Sequence, residues 1–418
     1  MSALQRSQDL QLLQGGQAYF PALIRAMDLA TAWIQFETYI FDIHGVGASV
    51  AEALIRAAQR GVTVQVLVDG IGSEPLPVEW QKKMRAAGVQ WCTYSPLGAG
   101  LGGVGLLVPE RWRRLHRKLC VVDQRIVFCG GINVLDDWYD PHHGELQAPR
   151  FDFAVAVTGP LAVAAADAVA LLWWRVQASQ NVRQRHLGAA WEKFKAAGYG
   201  GRTSASALAQ PAEPLVKVAS ARPSVTPGAK AALVLRDNLR NRSSIEKAYL
   251  RAIGKSRREI LIANAYFIPG GKLRRALTGA ARRGVKVRLL LQGKYEYFMQ
   301  YHAARPVYDT LLKAGIEIHE YEASFLHAKV AVIDGHWATV GSSNLDPLSL
   351  LLAREANVVI EDKAFAQQLR EQLCTAIATH GVRIDPATYR QRPLGQRLLG
   401  HLAYALMRLG IWVAGQRY

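Results

Sequence analysis

His116-Arg-Lys118-Leu-Cys-Val-Val-Asp123 and His327-Ala-Lys329-Val-Ala-Val-Ile-Asp334 are two copies of one pattern, HxKxxxxD. The histidines, lysines and aspartates of the two copies are all 211 apart (327 − 116, 329 − 118, 334 − 123). The register continues downstream, where Gly130-Gly-Ile-Asn133 stands opposite Gly341-Ser-Ser-Asn344 and 344 − 133 is again 211. A single His-x-Lys arises by chance. Two in register, each followed by Gly-x-x-Asn, mark a duplicated unit. Each unit brings one His, one Lys and one Asn, residue types that attack and hold a phosphate.

The surrounding sequence repeats as well. In the first half an amphipathic helix is expected from near Pro21, followed by the strand Trp33–Phe41, a helix Val50–Gln59 stopped at Gly61, and the apolar strand Val62–Val68. In the second half Ser243-Ser-Ile-Glu246 reads as a capping box. Strand Glu259–Phe267, a helix stopped at Gly284 and strand Val285–Leu291 follow. Strands alternating with helices predict an α/β fold, with a mixed β-sheet flanked by helices in each half. The two halves are then pseudo-twofold related domains with a composite site at their interface. The expected bounds are 1–185 for the first domain, 186–228 for a Gly/Ser/Pro-rich linker, 229–385 for the second domain and 386–418 for a tail.

The repeat breaks in one place. Gly61 to Gly284 is 223, whereas His116 to His327 is 211, so the first half carries about twelve extra residues just before its motif. They fall in the glycine-rich stretch from Leu97 to Arg114, which reads as a flexible lid with an apolar tip. Its Gly98-x-Gly100-x-x-Gly103 matches a dinucleotide fingerprint in form, but no helix pattern follows it.

The 418 residues allow two domains with separate cores. Fifty-one Lys and Arg against 33 Asp and Glu give a formal charge of +18. That excess predicts an anionic partner, nucleic acid or an acidic membrane surface. Four scattered cysteines suggest buried thiols rather than disulfides or a metal site. The N-terminus shows no signal-peptide pattern, and no charge-free apolar run of about 20 residues is seen. After Asp385 no acid occurs, while Arg390, Arg392, Arg397, Arg408 and Arg417 do. Leu394, Leu398, Leu402, Leu406, Leu409 and Val413 recur every three or four residues, the pattern of a basic amphipathic helix suited to a membrane surface.

The paired motifs suit phosphodiester chemistry. One imidazole can attack phosphorus, and the other can protonate the leaving alkoxide and deprotonate the incoming hydroxyl. Lys118, Lys329, Asn133 and Asn344 would surround the charged phosphorus. Asp152 and Glu355 are placed to fix the histidine tautomers. No metal or other cofactor is required by this scheme. His142 and His143 read as surface residues and Trp173-Trp174 as core packing. The segment Tyr295–His302 either lines a lipid channel or packs.

These residues resemble the phospholipase D superfamily, whose signature is the paired HxKxxxxD. Phe36-Glu-Thr-Tyr39, Ala263-Asn-Ala-Tyr-Phe-Ile-Pro269 and Gly341-Ser-Ser-Asn-Leu-Asp346 are similar to the bacterial cardiolipin synthases of the shorter B type. The resemblance implies a catalytic set of His116, Lys118, Asp123, His327, Lys329 and Asp334, although the two aspartates suit a structural role better. It implies phosphatidyl transfer from phosphatidylglycerol, or possibly phosphatidylethanolamine, to a second phosphatidylglycerol. The carrier is a phosphohistidine on His116, with His327 as acid and base. It further implies a peripheral location on the cytoplasmic face of the inner membrane, and lipid rather than nucleic acid as partner. The rival readings are a hydrolase or nuclease using the same histidines, and a non-catalytic membrane scaffold.

Overall fold

The computed structural model describes residues 4–94, 114–141, 143–183, 225–237, 241–295, 298–346 and 353–413. The expected lid, His142 and most of the expected linker lie outside the described residues. The strands of the first half are β1 Gln5–Gln14, β2 Trp33–Thr38, β3 Thr63–Asp69, β4 Gln90–Tyr94, β5 Arg114–Leu115, β6 Leu119–Val122, β7 Ile126–Gly130, β8 Tyr139–Asp140, β9 Gly144–Glu145 and β10 Phe153–Thr158. Those of the second half are β11 Val225–Arg236, β12 Glu259–Asn264, β13 Lys286–Gln292, β14 Glu317–Tyr321, β15 Lys329–Ile333, β16 Trp337–Gly341, β17 Ala353–Glu361 and β18 Gly381–Arg383. Helices α1 Gly15–Asp28, α2 Val46–Gln59, α3 Val78–Ala87 and α4 Pro160–Arg183 belong to the first half. Helices α5 Ser244–Lys255, α6 Gly271–Arg282, α7 Phe298–Lys313, α8 Lys363–His380, α9 Pro386–Arg390 and α10 Leu394–Val413 follow.

The duplication is visible in the topology. In each half a parallel trio, β2-β3-β4 or β12-β13-β14, joins an antiparallel set, β6-β7-β10 or β15-β16-β17. The two sets are not separate sheets. β1 pairs with β10 on one side and β11 on the other, and β11 pairs with β17, so one mixed sheet runs through both halves. The cores follow suit. Two apolar clusters belong to the first half and one to the second, but a fourth is shared, with Leu10, Val155 and Val157 packed alongside Leu261, Val330 and Val358 beneath α4 and α8. Two fully separate cores were expected. Neighbouring antiparallel strands from both halves instead place their inward side chains on one common face.

Several local expectations are corrected. α1 starts at Gly15, not near Pro21, which lies inside the helix. Its start is fixed from outside, because Gly16 N–H donates to the Asp137 carboxylate. α5 has Ser243 at its N-cap, but the Ser243 side chain makes no cap hydrogen bond. Residues 225–228, placed in the linker by composition, begin β11. The helix segment Pro160–Ser179 is long and apolar enough to cross a membrane, yet Leu161, Val169, Leu172, Trp173 and Val176 are buried against the protein. Cys92, Cys120 and Cys129 are buried free thiols, and Cys374 is free and partly exposed. Burial pushes the Cys120 and Cys129 thiols far up, Cys129 to about 12, so neither is reactive near neutral pH.

Candidate active site

Both motifs enter the sheet the same way. Each His precedes a short buried strand, and each Asp closes that strand in a tight turn with positive φ, 51° at Asp123 and 52° at Asp334. Each Asp is seven residues beyond its His (123 − 116, 334 − 327), up to roughly 23 Å along extended chain. The Asp123 carboxylate accepts backbone N–H bonds from Thr31, Ala32 and Trp33 at 2.8, 2.9 and 2.7 Å. Asp334 repeats this with Arg257, Arg258 and Glu259 at 2.8, 2.8 and 2.9 Å. Burial pushes Asp334 up, but the three N–H donors more than offset it and hold the carboxyl below its usual range. The inclusion of Asp123 and Asp334 in the catalytic set is therefore corrected. They anchor the chain entering β2 and β12 and do not face the reacting centre. Asp123→Ala should lower stability by about 1–3 kcal/mol, the cost of orphaning backbone donors. Thermal melting should show that loss, while the turnover of the folded fraction stays close to wild type.

At the other end of these strands the two halves interlock. His116 N–H donates to the Arg354 carbonyl, and His327 N–H donates to the Phe151 carbonyl. Phe151 N–H in turn donates to Phe325, and β5 pairs with β17. Each motif is thus held by backbone of the other half. The side chains cross in the same sense. His116 Nδ1 lies 3.1 Å from Glu355, and His327 Nδ1 lies 2.7 Å from Asp152. Each carboxylate accepts from Nδ1–H, which leaves the lone pair on Nε2. Glu355 also accepts from the Ser342 hydroxyl. Ser342 corresponds to Gly131 (342 − 131 = 211), where an added Cβ would overlap the Asp152 carboxylate.

A cavity of about 820 Å³ opens over this centre. His116, His327, Asn133, Asn344, Asp152, Tyr39 and Tyr266 all line it. Asn133 Oδ1 accepts from Ile40 N–H at 3.2 Å, which leaves its amide NH₂ as the donor end. Lys118 and Lys329 are buried just behind the wall, and each Nζ donates to the carbonyl of its own motif histidine. Lys118 also lies 5.2 Å from the Tyr39 ring, which stacks at 4.9 Å on His116.

Burial dominates the electrostatics. It pushes Lys118 down to about 7, with Lys329 adding repulsion and Glu355 opposing. It pushes His116 below its usual value and His327 well below, helped in both by the lysine charges. It pushes Asp152 up to about 7, against the pull of Lys329 and Lys118. Two neutral imidazoles with two buried lysines behind them form a centre that an anion completes. Among the described residues no group of three or more His, Cys, Asp or Glu is placed to hold a metal.

His143 is exposed, as expected of a surface residue; it lies beside Asp140 at 3.0 Å and its ring meets Phe325 at a tilt, which braces the loop. Tyr301 and His302 pack together, and Tyr301 lines a small groove next to Tyr266 and not the main cavity itself. Sequence reasoning missed Arg114, Arg150 and Asp346, which also line the cavity. Nothing in the register flags the two arginines, because the 211 spacing sets Phe325 opposite Arg114 and Arg150 sits in a stretch longer than its counterpart.

The family described as "Cardiolipin synthase, PLD-like domain" matches residues 23–141 and 249–376, one stretch in each half. Cardiolipin synthase B of Escherichia coli K12 is 37% identical over 410 residues, which is 96% of this chain and 87% of that one. Cardiolipin synthase B of Salmonella typhi is 36% identical over 412 residues, with the same coverage. Among solved structures, phosphatidylserine synthase of Haemophilus influenzae superposes over 96% of this chain and 93% of its own, with a TM-score of 0.61 at 13% identity. Polyphosphate kinase of Porphyromonas gingivalis gives 0.53 over 96% and 53%, at 12% identity. These two show the shared fold, while the family match spans both histidine motifs and Glu355. The chain therefore belongs to the cardiolipin synthase family of phospholipase D-like proteins.

Proposed function

We propose that this chain is a cardiolipin synthase, a phosphatidyltransferase that joins two phosphatidylglycerols and releases glycerol. The observation that carries the reading is the crossed pair of His–carboxylate contacts at the base of one cavity. His116 Nε2 attacks the donor phosphorus, and the P–O bond to the glycerol headgroup breaks. His327 gives its proton to that leaving oxygen. His327 then takes the proton of the acceptor hydroxyl, whose oxygen attacks phosphorus and breaks the P–N bond. Lysine charge and the Asn133 and Asn344 amides stabilise the phosphorus oxygens. The phosphate's negative charge offsets the two lysines and raises the proton affinity of His327, so the acid forms when the donor binds.

The environments of the carboxylates support this division of roles. Glu355 is fully buried among Ser342, Lys118 and Arg236, and opposes the positive charge that builds on His116 during attack. Asp152, pushed up by burial to about 7, holds His327 through Nδ1 and opposes the charge that His327 takes up when the donor binds. Mass spectrometry of lipids from phosphatidylglycerol vesicles tests the reading. Cardiolipin with free glycerol is the expected product. Phosphatidic acid in its place would make the protein a hydrolase. Transfer between lipids is also the reading that suits the half-apolar wall, with Ile40, Phe41, Ile43, Ile71, Ile132 and Leu135 around the polar centre.

The same proposal includes peripheral attachment to an anionic membrane, on the cytoplasmic face. Ala403 and Met407 of α10 are buried in the second-half core, whereas Leu394, Leu398, Leu402, Leu406 and Leu409 form a stripe 50–78% exposed. Arg397 and Arg408 are exposed on the same helix. A leucine stripe flanked by arginines suits insertion into an anionic lipid surface. Replacing Leu398, Leu402 and Leu406 with Ser should weaken binding to phosphatidylglycerol vesicles about a hundredfold, each side chain contributing on the order of 1 kcal/mol. Sedimentation with vesicles reads the change, and melting should be unaffected because all three leucines already face solvent.

A further inference from the structure

Joining two phosphatidylglycerols brings two phosphodiesters into one cavity, and the histidine centre accounts for one. The acceptor's own phosphate sits one glycerol length from its attacking hydroxyl. It must lie against a wall rich in acids, with Asp42, Glu74, Asp137, Asp140 and Asp346 among the lining residues. An anion there needs a cation. Arginines 114 and 150 line the cavity. Arg114 pairs with Asp69 at 3.4 Å, and it is Arg150, not Arg114, whose charge bears on His327.

Arg150 is differently placed. Its side chain is only 10% exposed, and its charge reaches His327, the group assigned to activate the acceptor hydroxyl. One Nη donates to the Asp136 carbonyl and the other to Asp140 at 2.6 Å. A guanidinium has five N–H donors, so three remain for a ligand. Those two contacts fix the plane of the fork, which suits two-point binding of phosphate oxygens. The brace extends further. Asp140 is gripped by His143, and the His143 ring meets Phe325, two residues before His327. Arg150 is thus tied through Asp140 and His143 to the chain just before the catalytic histidine of the other half. The loop that carries it is a feature of the first half: 18 residues separate Asn133 from Asp152, against 10 between Asn344 and Glu355 (152 − 133 − 1 and 355 − 344 − 1).

We propose that Arg150 is the acceptor-binding residue, holding the phosphate of the second phospholipid so that its terminal hydroxyl lies at His327. The inference rests on the function proposed above and names the residue that makes the preferred acceptor an anionic lipid and not water or a neutral alcohol.

The test uses the partition of the shared covalent intermediate. Full-length protein is given phosphatidylglycerol vesicles together with a short neutral primary alcohol, and the ratio of cardiolipin to phosphatidyl-alcohol is measured. Both products arise from the same phosphohistidine, so misfolded molecules contribute to neither and the ratio reports acceptor choice alone. Arg150→Met should lower the ratio about tenfold to a hundredfold, the worth of one charge-assisted contact. Arg150→Lys, which keeps the charge but loses the fork, should recover part of it. A ratio equal to wild type in Arg150→Met, even with total turnover reduced, overturns the proposal and makes Arg150 a staple of its loop. A wild type that yields neither product overturns the proposed function, and this inference with it.

Discussion

His116→Ala and His327→Ala are each expected to lower cardiolipin formation by at least about 10⁴-fold, with melting temperatures near wild type. Each histidine is the motif imidazole its half brings to the crossed carboxylate centre, and neither can substitute for the other, because both steps of the transfer need a nucleophile and a proton carrier together. The double variant should therefore be no slower than the singles, as expected for groups that act as one unit. The two singles should differ in what they leave behind. With His327→Ala the nucleophile survives, so a phosphatidyl adduct on the peptide containing His116 should build up slowly and persist. With His116→Ala no adduct should form at either position. Intact-protein mass spectrometry after incubation with phosphatidylglycerol separates these outcomes. An adduct on His327 in the His116→Ala protein would reverse the assigned roles. A variant that kept more than about 1% of wild-type turnover would end the two-histidine scheme.

Glu355→Gln and Asp152→Asn are expected to reduce turnover by about 10²–10⁴-fold, the range seen when the acid that fixes a catalytic imidazole is made neutral. An amide no longer selects Nδ1–H, so the lone pair leaves Nε2 in part of the molecules. It also provides no anion against imidazolium. The crossing of the pairs gives this prediction its specificity. Glu355→Gln should disturb the Nδ1 proton resonance of His116 while leaving that of His327 in place, and Asp152→Asn should do the reverse. If each substitution perturbed the histidine of its own half, the crossed geometry would be wrong.

The physical reason for the crossing lies in the sheet. Glu355 begins the buried part of β17, and its neighbour Arg354 bonds through its carbonyl to the backbone of His116. Phe151, next to Asp152, bonds to His327 in the same way. Once the two antiparallel sets are joined through β1 and β11, the end of each third strand lies opposite the motif of the other half. The active site is then built across the pseudo-twofold, and activity requires both halves to be folded against one another.

Much of this was legible in the residues. The 211 register set the duplication, and with it the paired His, Lys and Asn and the α/β alternation of each half. Local chemistry carried those calls, since strand periodicity, glycine helix stops and a five-residue interval between Lys and Asp are read within a few residues of each other. Asp123 and Asp334 show where such reading fails. Their spacing is invariant between the copies, but the reason is a turn that caps the N-terminus of a distant strand, a contact 90 residues away in sequence. The helix start at Gly15 was missed for the same reason, because its support comes from Asp137.

The sequence by itself determined the reacting groups and the number of copies of each, because a repeat in register is a property of the chain. It also determined that two acids, Asp152 and Glu355, were suited to serve the histidines. The folded chain alone shows which acid serves which histidine, that both halves share one sheet and one central core, and that Arg150 lines the same cavity as His327. Those are contacts between residues some 175 to 240 apart, fixed by strand pairing across the joint, and no local pattern of side chains encodes them.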